Sequence, residues 1–172
     1  MGHARGGAGR RGFHGEPHAG RIPGGQAVFV SARELNVRGG CYAEYIAVDA
    51  EALYPLPDSV DLEAAAALSN YQVAWHLLHS ATNGMRYGSL LATAAAGGAG
   101  SALVQLGKLA GKRVIGMVDT DERAAFVLSL GADGAVNCRS QNVTEWVFGM
   151  TAGRGVDMIL DSFGGQGFKE AV

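Results

Sequence analysis

Ser89–Lys108 reads SLLATAAAGGAGSALVQLGK, and the order of its three parts decides the fold. Leu90 to Ala92 is a short apolar run, read as a buried strand. Ala94 to Gly100 is a turn of small residues. Beyond the turn, Ala99, Ala102, Leu103, Leu106 and Ala110 recur at the spacing of one helical face. Strand, glycine turn and helix are the context in which a Gly-rich fingerprint acquires meaning, and here it is A-x-x-G-x-x-G at Ala94, Gly97 and Gly100. Ala94 allows a tight exit from the strand. Gly97 lets backbone N–H groups approach a pyrophosphate, and Gly100 lets the helix close on the sheet. The phosphates would rest on unpaired N–H groups at the positive end of the helix dipole. A second strand, Arg113 to Val118, ends beside Asp119, about 20 residues past Gly100, where dinucleotide folds read the adenosine ribose.

Two plainer readings compete. No charge occurs between Arg86 and Lys108, as in a membrane span, but Thr93, Ser101, Gln105 and the glycines lower the hydropathy and the pattern changes period midway. The other is a structural glycine turn that binds nothing, because a lone fingerprint is weak.

The bulk composition narrows the class. A chain of 172 residues with 48% hydrophobic content makes one domain or one and a fraction. A net charge of −2 argues against nucleic acid or an acidic membrane as partner. Cys41 and Cys138, the 2 cysteines, are too few for a disulfide framework or a zinc lobe, and no apolar run follows the N-terminal arginines as in a signal peptide. The expected location is a reducing cytoplasm. Residues 1–25 are rich in Gly, Arg and His and are expected to form a disordered low-complexity tail. Its single R-G-G at Arg5–Gly7 and the irregular His3, His14 and His18 are too sparse for RNA or metal binding.

Order is expected from Gln26. Ala27–Val30 and Tyr42–Val48 read as strands, paired antiparallel across the turn-rich Asn36–Gly40. Tyr42 and Tyr45, on such a strand, are expected to be packed. Asp61 caps a helix through Glu63–Ala67 that resumes over Val73–Leu78 after a polar break at Ser69–Asn70. After Val118, a residue among Asp119–Asp121 caps a helix over Arg123–Leu130, which Gly131 ends. Ala135–Val136 is a third strand. A helix from Asn142 to Met150 buries Val143, Trp146, Val147 and Met150, Gly153–Gly155 turns the chain, and Val156–Leu160 is a fourth strand. The βαβαβαβ alternation predicts an α/β fold with a parallel sheet.

Six stretches, GGCYAEY (Gly39–Tyr45), LYPLPDSVDLEAAAALS (Leu53–Ser69), NYQVAWHLL (Asn70–Leu78), AAAGGAGSALVQLGKLAGKRVIG (Ala94–Gly116), LGADGAVN (Leu130–Asn137) and TAGRGVDMILDSFGG (Thr151–Gly165), resemble the zinc-independent quinone oxidoreductase branch of the medium-chain dehydrogenase/reductase superfamily. The resemblance implies a partial Rossmann doubly wound sheet over residues 63–172, preceded by a remnant of a small β-rich, GroES-like catalytic domain over 26–62. It implies a partial chain, without the first part of the catalytic domain, the last two sheet strands and the closing segment. It implies hydride transfer from NAD(P)H to a quinone or enone, with the nicotinamide in a cleft between the domains and no zinc. An enoyl-thioester reductase, including polyketide synthase modules, and a non-catalytic nucleotide-binding fragment stay open as alternatives.

Residue by residue, Ala94, Gly97 and Gly100 match the family's phosphate turn, with Gly98 and Ala99 supplying N–H groups. Arg123 stands where a Lys often meets the 2′-phosphate, which favours NADP(H) over NAD(H); Asp119 opposes that by repelling phosphate, unless it is a helix cap. Ser162 lies in D-S-x-G near the cofactor, Val73 replaces a frequent Thr, and Cys138 replaces a common Tyr and is expected to be a partly buried structural residue. No general acid is assigned. The strand Val156–Leu160, with one neighbour missing, is expected to drive self-association or homo-oligomer formation.

Overall fold

The computed structural model describes residues 3–4, 22–31, 35, 41–162 and 164. The chain divides into two units, Met1–Ser69 and Asn70–Val172. The sequence places that boundary at 62/63. The helix that follows explains the difference, because its Ala65 packs with Phe29 and Leu56 of the first unit.

In the first unit, β1 (His3–Ala4) pairs antiparallel with β3 (Ile46–Ala47), and β2 (Val28–Val30) pairs antiparallel with β4 (Leu53–Pro55). The expected pairing of Ala27–Val30 with Tyr42–Val48 is therefore corrected. Leu53 lies opposite Val30 and buries its side chain with Val28 and Ile22, an apolar contact that the exposed Tyr42 and Tyr45 do not offer. Both tyrosines lie outside strands, so the expectation that they pack is corrected too. The tail reading is corrected at His3–Ala4 and at Ile22, which is buried; most of 1–21, and the turn at 36–40, lie outside the described residues. α1 (Leu62–Ala66) starts where the Asp61 carboxylate accepts from the N–H groups of Glu63 and Ala64 at 2.8 and 2.9 Å.

The second unit begins in α2 (Leu68–Trp75), which widens into one π-helical turn over His76–Ser80. The helical break falls at Ala67 rather than at Ser69–Asn70. Then come β5 (Ser89–Ala92), α3 (Gly98–Leu109), β6 (Arg113–Val118), α4 (Asp121–Ser129), β7 (Gly134–Asn137), α5 (Val143–Met150) and β8 (Met158–Leu160). All four strands run parallel in the order β7-β6-β5-β8. Right-handed crossovers put helices on both faces of such a sheet. Leu90, Ala92, Val114 and Val118 pack with Leu103, Val104 and Val127 of α3 and α4. The alternate residues Leu91, Ile115, Met117 and Val136 pack with Val143 and Val147 of α5. Each fully buried Leu or Ile contributes about 2 kcal/mol, which makes β5 the anchor of both layers. Among the described residues β8 pairs only with β5, and no helix is long and apolar enough to cross a membrane.

The stripe of α3 lies one residue from its expected phase. Gly100, Leu103, Val104 and Gly107 are buried with Ala102, whereas Ala110 is exposed. Glycine carries no hydrophobic signal, yet a Cβ at Gly107 would come within 2.8 Å of Val114 Cγ2. The remaining punctuation matches the sequence: Asn142 Oδ1 accepts from Glu145 N–H, and Gly131 takes a left-handed φ of 98° after α4.

Two carboxylates brace the sheet. Asp133 accepts from Lys108 Nζ and, at 2.7 Å, from Val114 N–H. Asp157 accepts from the N–H groups of Gly88 and Ser89 and from Ser89 Oγ, tying the starts of β5 and β8. For Asp133, burial opposes ionisation, but the Lys108 and Val114 hydrogen bonds outweigh it and the carboxyl stays below the usual range. The Gly88 N–H, then Ser89, lower Asp157 likewise. Groups that ionise more readily folded than unfolded stabilise the protein above the unfolded carboxylate pKa of about 4, and that stability is lost as pH falls through their folded values. Urea midpoints followed by circular dichroism are therefore expected to fall between pH 7 and pH 3, and to fall less in Asp133→Asn, which is already weakened by about 1 kcal/mol at pH 7.

Candidate functional site

At the C-terminal edge of the sheet the chain leaves β5 through Thr93 and Ala94. Ala94 takes a φ of 49°, left-handed for a residue with a Cβ, at a cost of about 1 kcal/mol. Its carbonyl accepts from Gly97 N–H at 2.8 Å. A Cβ at Gly100 would stand 2.2 Å from that same oxygen and 2.7 Å from Ala95 Cα, so glycine is obligatory where α3 crosses the turn. Gly116 serves the same close packing from β6, because a Cβ there would meet Val127 Cγ1 at 2.5 Å and Ala95 Cβ at 2.8 Å.

Side chains cap three helices, Asp61 on α1, Thr120 on α4 and Asn142 on α5; α3 begins at Gly97 with no side-chain cap. Its first-turn N–H groups, Gly98, Ala99 and Gly100, have no carbonyl of their own helix within reach. Gly97 is exposed in an extended conformation, and a Cβ there would meet only Ala94 O at 3.2 Å. The Asn70 carboxamide lies over Gly98, within 2.5 Å of where its Cβ would be.

Ala94, Ala96, Gly97, Met117, Val118, Asp119, Arg123 and Cys138 line one cavity of about 210 Å³. Of the residues read as cofactor-binding, Ala94, Gly97, Asp119 and Arg123 meet in it, and Gly98, Ala99 and Gly100 form the adjoining first turn of α3. Ser162 stands elsewhere, past β8. Its N–H donates to Thr93 Oγ1 at 2.9 Å, and Thr93 Oγ1 donates to Asp161 Oδ1 at 2.8 Å, so the ends of β5 and β8 are laced together.

Asp119 is not a helix cap. Thr120 caps α4 by accepting from Arg123 N–H at 3.2 Å, and the Asp119 carboxylate accepts from the Arg123 guanidinium instead. That hydrogen bond holds the Asp119 carboxyl below the usual carboxylate range, with Arg139 adding to it. The reading of Cys138 as partly buried is corrected: it is exposed at the cavity, one residue beyond β7, where its N–H still donates to the Val118 carbonyl at 2.8 Å while its side chain faces outward. Thr93 and Arg139 are the residues the sequence reading missed. A polar residue ending the central strand signals Thr93, whereas nothing in the local pattern signals Arg139. Among the described residues no three His, Cys, Asp or Glu side chains are grouped to hold a metal.

The zinc-binding dehydrogenase family matches residues 98–172, from the first residue of α3 onward. Mouse prostaglandin reductase-3 is 39% identical over 133 residues, 77% of this chain and 35% of its own. A Pseudomonas syringae quinone oxidoreductase superposes with a TM-score of 0.77 at 29% identity, covering 88% of this chain and 46% of its own, and an Escherichia coli quinone oxidoreductase bound to NADPH does so with 0.77 at 26%, covering 88% and 45%. The chain belongs to the medium-chain dehydrogenase/reductase superfamily. It spans less than half the length of these relatives. Within the superfamily's α/β architecture, the parallel sheet matches the dinucleotide-binding half.

The two glycines are expected to fail differently. Gly100→Ala overpacks backbone against backbone and lowers stability by about 3 kcal/mol in chemical denaturation. Gly97→Val, whose Cβ would crowd only Ala94 O at 3.2 Å, is expected to cost far less stability, and on the phosphate-turn reading to lose dinucleotide affinity at least about a hundredfold in calorimetry.

Proposed function

We propose that this chain is the dinucleotide-holding part of an NAD(P)H-dependent reductase acting on quinones or activated alkenes, without zinc. The observation that carries the reading is the uncapped N-terminus of α3, set beside the β5–β8 crevice where the strand order reverses. The donor set fits a pyrophosphate. Gly98, Ala99 and Gly100 offer N–H groups, Gly97 leaves the approach open, and the helix dipole favours the negative charge. Arg123, which lines the cavity, suits a 2′-phosphate, which favours NADP(H), and the NADPH held by the E. coli neighbour supports that choice. Ser162 is assigned to the cofactor's vicinity by resemblance alone.

When bound, the reduced nicotinamide supplies the hydride that a quinone or an activated alkene accepts. The protein's residues bind and orient it: the glycine turn fixes the phosphates, and the Thr93–Asp161–Ser162 lacing fixes the loop that leaves β8. A second substrate class, enoyl thioesters, is favoured by a reducing polyketide synthase of Cochliobolus heterostrophus, 34% identical over 137 residues, 77% of this chain and 5% of its own.

Binding and turnover test the reading together. NADPH is expected to bind about tenfold more tightly than NADH in calorimetry, the value of one partly offset charge-assisted contact. Nicotinamide oxidation with menadione, a simple enone and crotonyl thioester then ranks the substrates. Binding of neither dinucleotide overturns the proposal, and turnover of the thioester alone replaces the quinone with the second class.

A further inference from the structure

Three charged side chains project from three different segments at the C-terminal edge of the sheet. Asp119 follows β6, Arg123 lies in the first turns of α4, and Arg139 lies two residues past β7. One Asp119 oxygen accepts from Arg123 Nη1, and the other stands 3.7 Å from Arg139 Nη2. A single carboxylate thus bridges two guanidiniums, one oxygen to each.

The two arms are braced from beneath by a buried carboxamide. Asn137 is 7% exposed. Its Nδ2 donates to Asp121 Oδ1 at 2.7 Å, gripping the start of α4, and its Oδ1 accepts from Arg139 N–H at 3.1 Å, fixing the loop after β7. The backbones that carry Arg123 and Arg139 therefore hold their spacing without Asp119. Their side chains remain adaptable, at 58% and 75% exposure against 34% for Asp119. An exposed ion pair four residues apart on one segment contributes little stability, so stability gives no strong reason for the carboxylate to be there.

We propose that Arg123 and Arg139 form a two-arginine clamp for a ligand's 2′-phosphate, and that Asp119 is its resident competitor, an internal anion that the phosphate must displace. The inference rests on the dinucleotide reading of the site and adds to it a new residue, Arg139, and a reversed role for Asp119. A phosphate dianion offers more acceptor oxygens and more charge than a carboxylate, so it takes the two guanidiniums once present. Asp121 and Glu122, in the first turn of α4, are the anions on the same helix as Arg123, and Asp121 is engaged by Asn137. Cys138, short and lining the cavity between the arms, leaves room for the ligand. A carboxylate serving instead to accept from a ribose 2′-hydroxyl would make Asp119 a determinant for NADH.

Calorimetric titration of the full chain with NADPH, NADH, adenosine 2′,5′-bisphosphate and AMP separates these roles. Asp119→Ser and Asp119→Asn are expected to tighten NADPH and the bisphosphate about tenfold, to leave NADH and AMP within about twofold, and to leave the melting temperature unchanged. Arg139→Gln is expected to weaken the two 2′-phosphorylated ligands about tenfold and not the others. In the Arg139→Gln background, Asp119→Ser is expected to gain less than alone, the mark of coupled groups. Weaker NADH binding by Asp119→Ser, or unchanged bisphosphate binding by Arg139→Gln, overturns the proposal while leaving the dinucleotide site standing. Failure of the parent chain to bind any of the four ligands overturns the site itself and the clamp with it.

Discussion

Between Gly100 and the carbonyl of Ala94 there is no space for one carbon atom, and the second unit is assembled around that contact. The approach lets α3 start directly on the turn that leaves β5. It continues through Ala95, whose Cβ faces Gly116 of β6, to Val127 of α4. Helix, turn, strand and second helix are thus stacked through a line of small residues. The turn exists in this shape only because Ala94 accepts a left-handed backbone. Its strain is offset by the burial that the close packing allows on both faces of β5.

The same geometry divides the labour among helix ends. α1, α4 and α5 satisfy their first N–H groups internally, and each is a structural joint. α3 satisfies none of its own with a side chain, and it points at the edge of the sheet where the chain changes direction. On the proposed reading, binding capacity is concentrated where local stabilisation has been left out. The charged rim works in the opposite way, with its cations already occupied by an anion of the chain.

Much of this architecture is legible in the residues. Strands buried on both faces are apolar throughout, as Leu90–Ala92 and Val114–Val118 are, and the alternation with helical periods implies the parallel sheet. Asp61, Asn142 and Gly131 announce their helix ends by chemistry that acts within a few residues. What escapes is whatever depends on distant partners. β2 and β4 have three residues each, too short for a period to select a mate, and Leu53 wins through contacts with Ile22 and Val28. Gly100 and Gly107 are deep positions in α3 that a count of hydrophobic side chains passes over. In the site, the Asp119–Arg123 spacing is visible along the chain. Arg139 joins them only because β7 lies beside β6.

The place of β5 in the sheet also sets a timetable. Its pairing with β6 needs only the next strand, but its other edge waits for β8, and the Ser89–Asp157 bonds span 68 residues. At ribosomal speeds of about 5–20 residues per second, that stretch takes roughly 3–14 s to emerge, whereas local strand pairing takes microseconds. Until β8 arrives, β5 can pair only through its β6 edge, and the backbone groups that face β8, the Thr93 N–H among them, stay unpaired beside the most apolar strand. The biosynthetic hazard of this protein is therefore concentrated at its central strand, which is the best protected part of the finished fold.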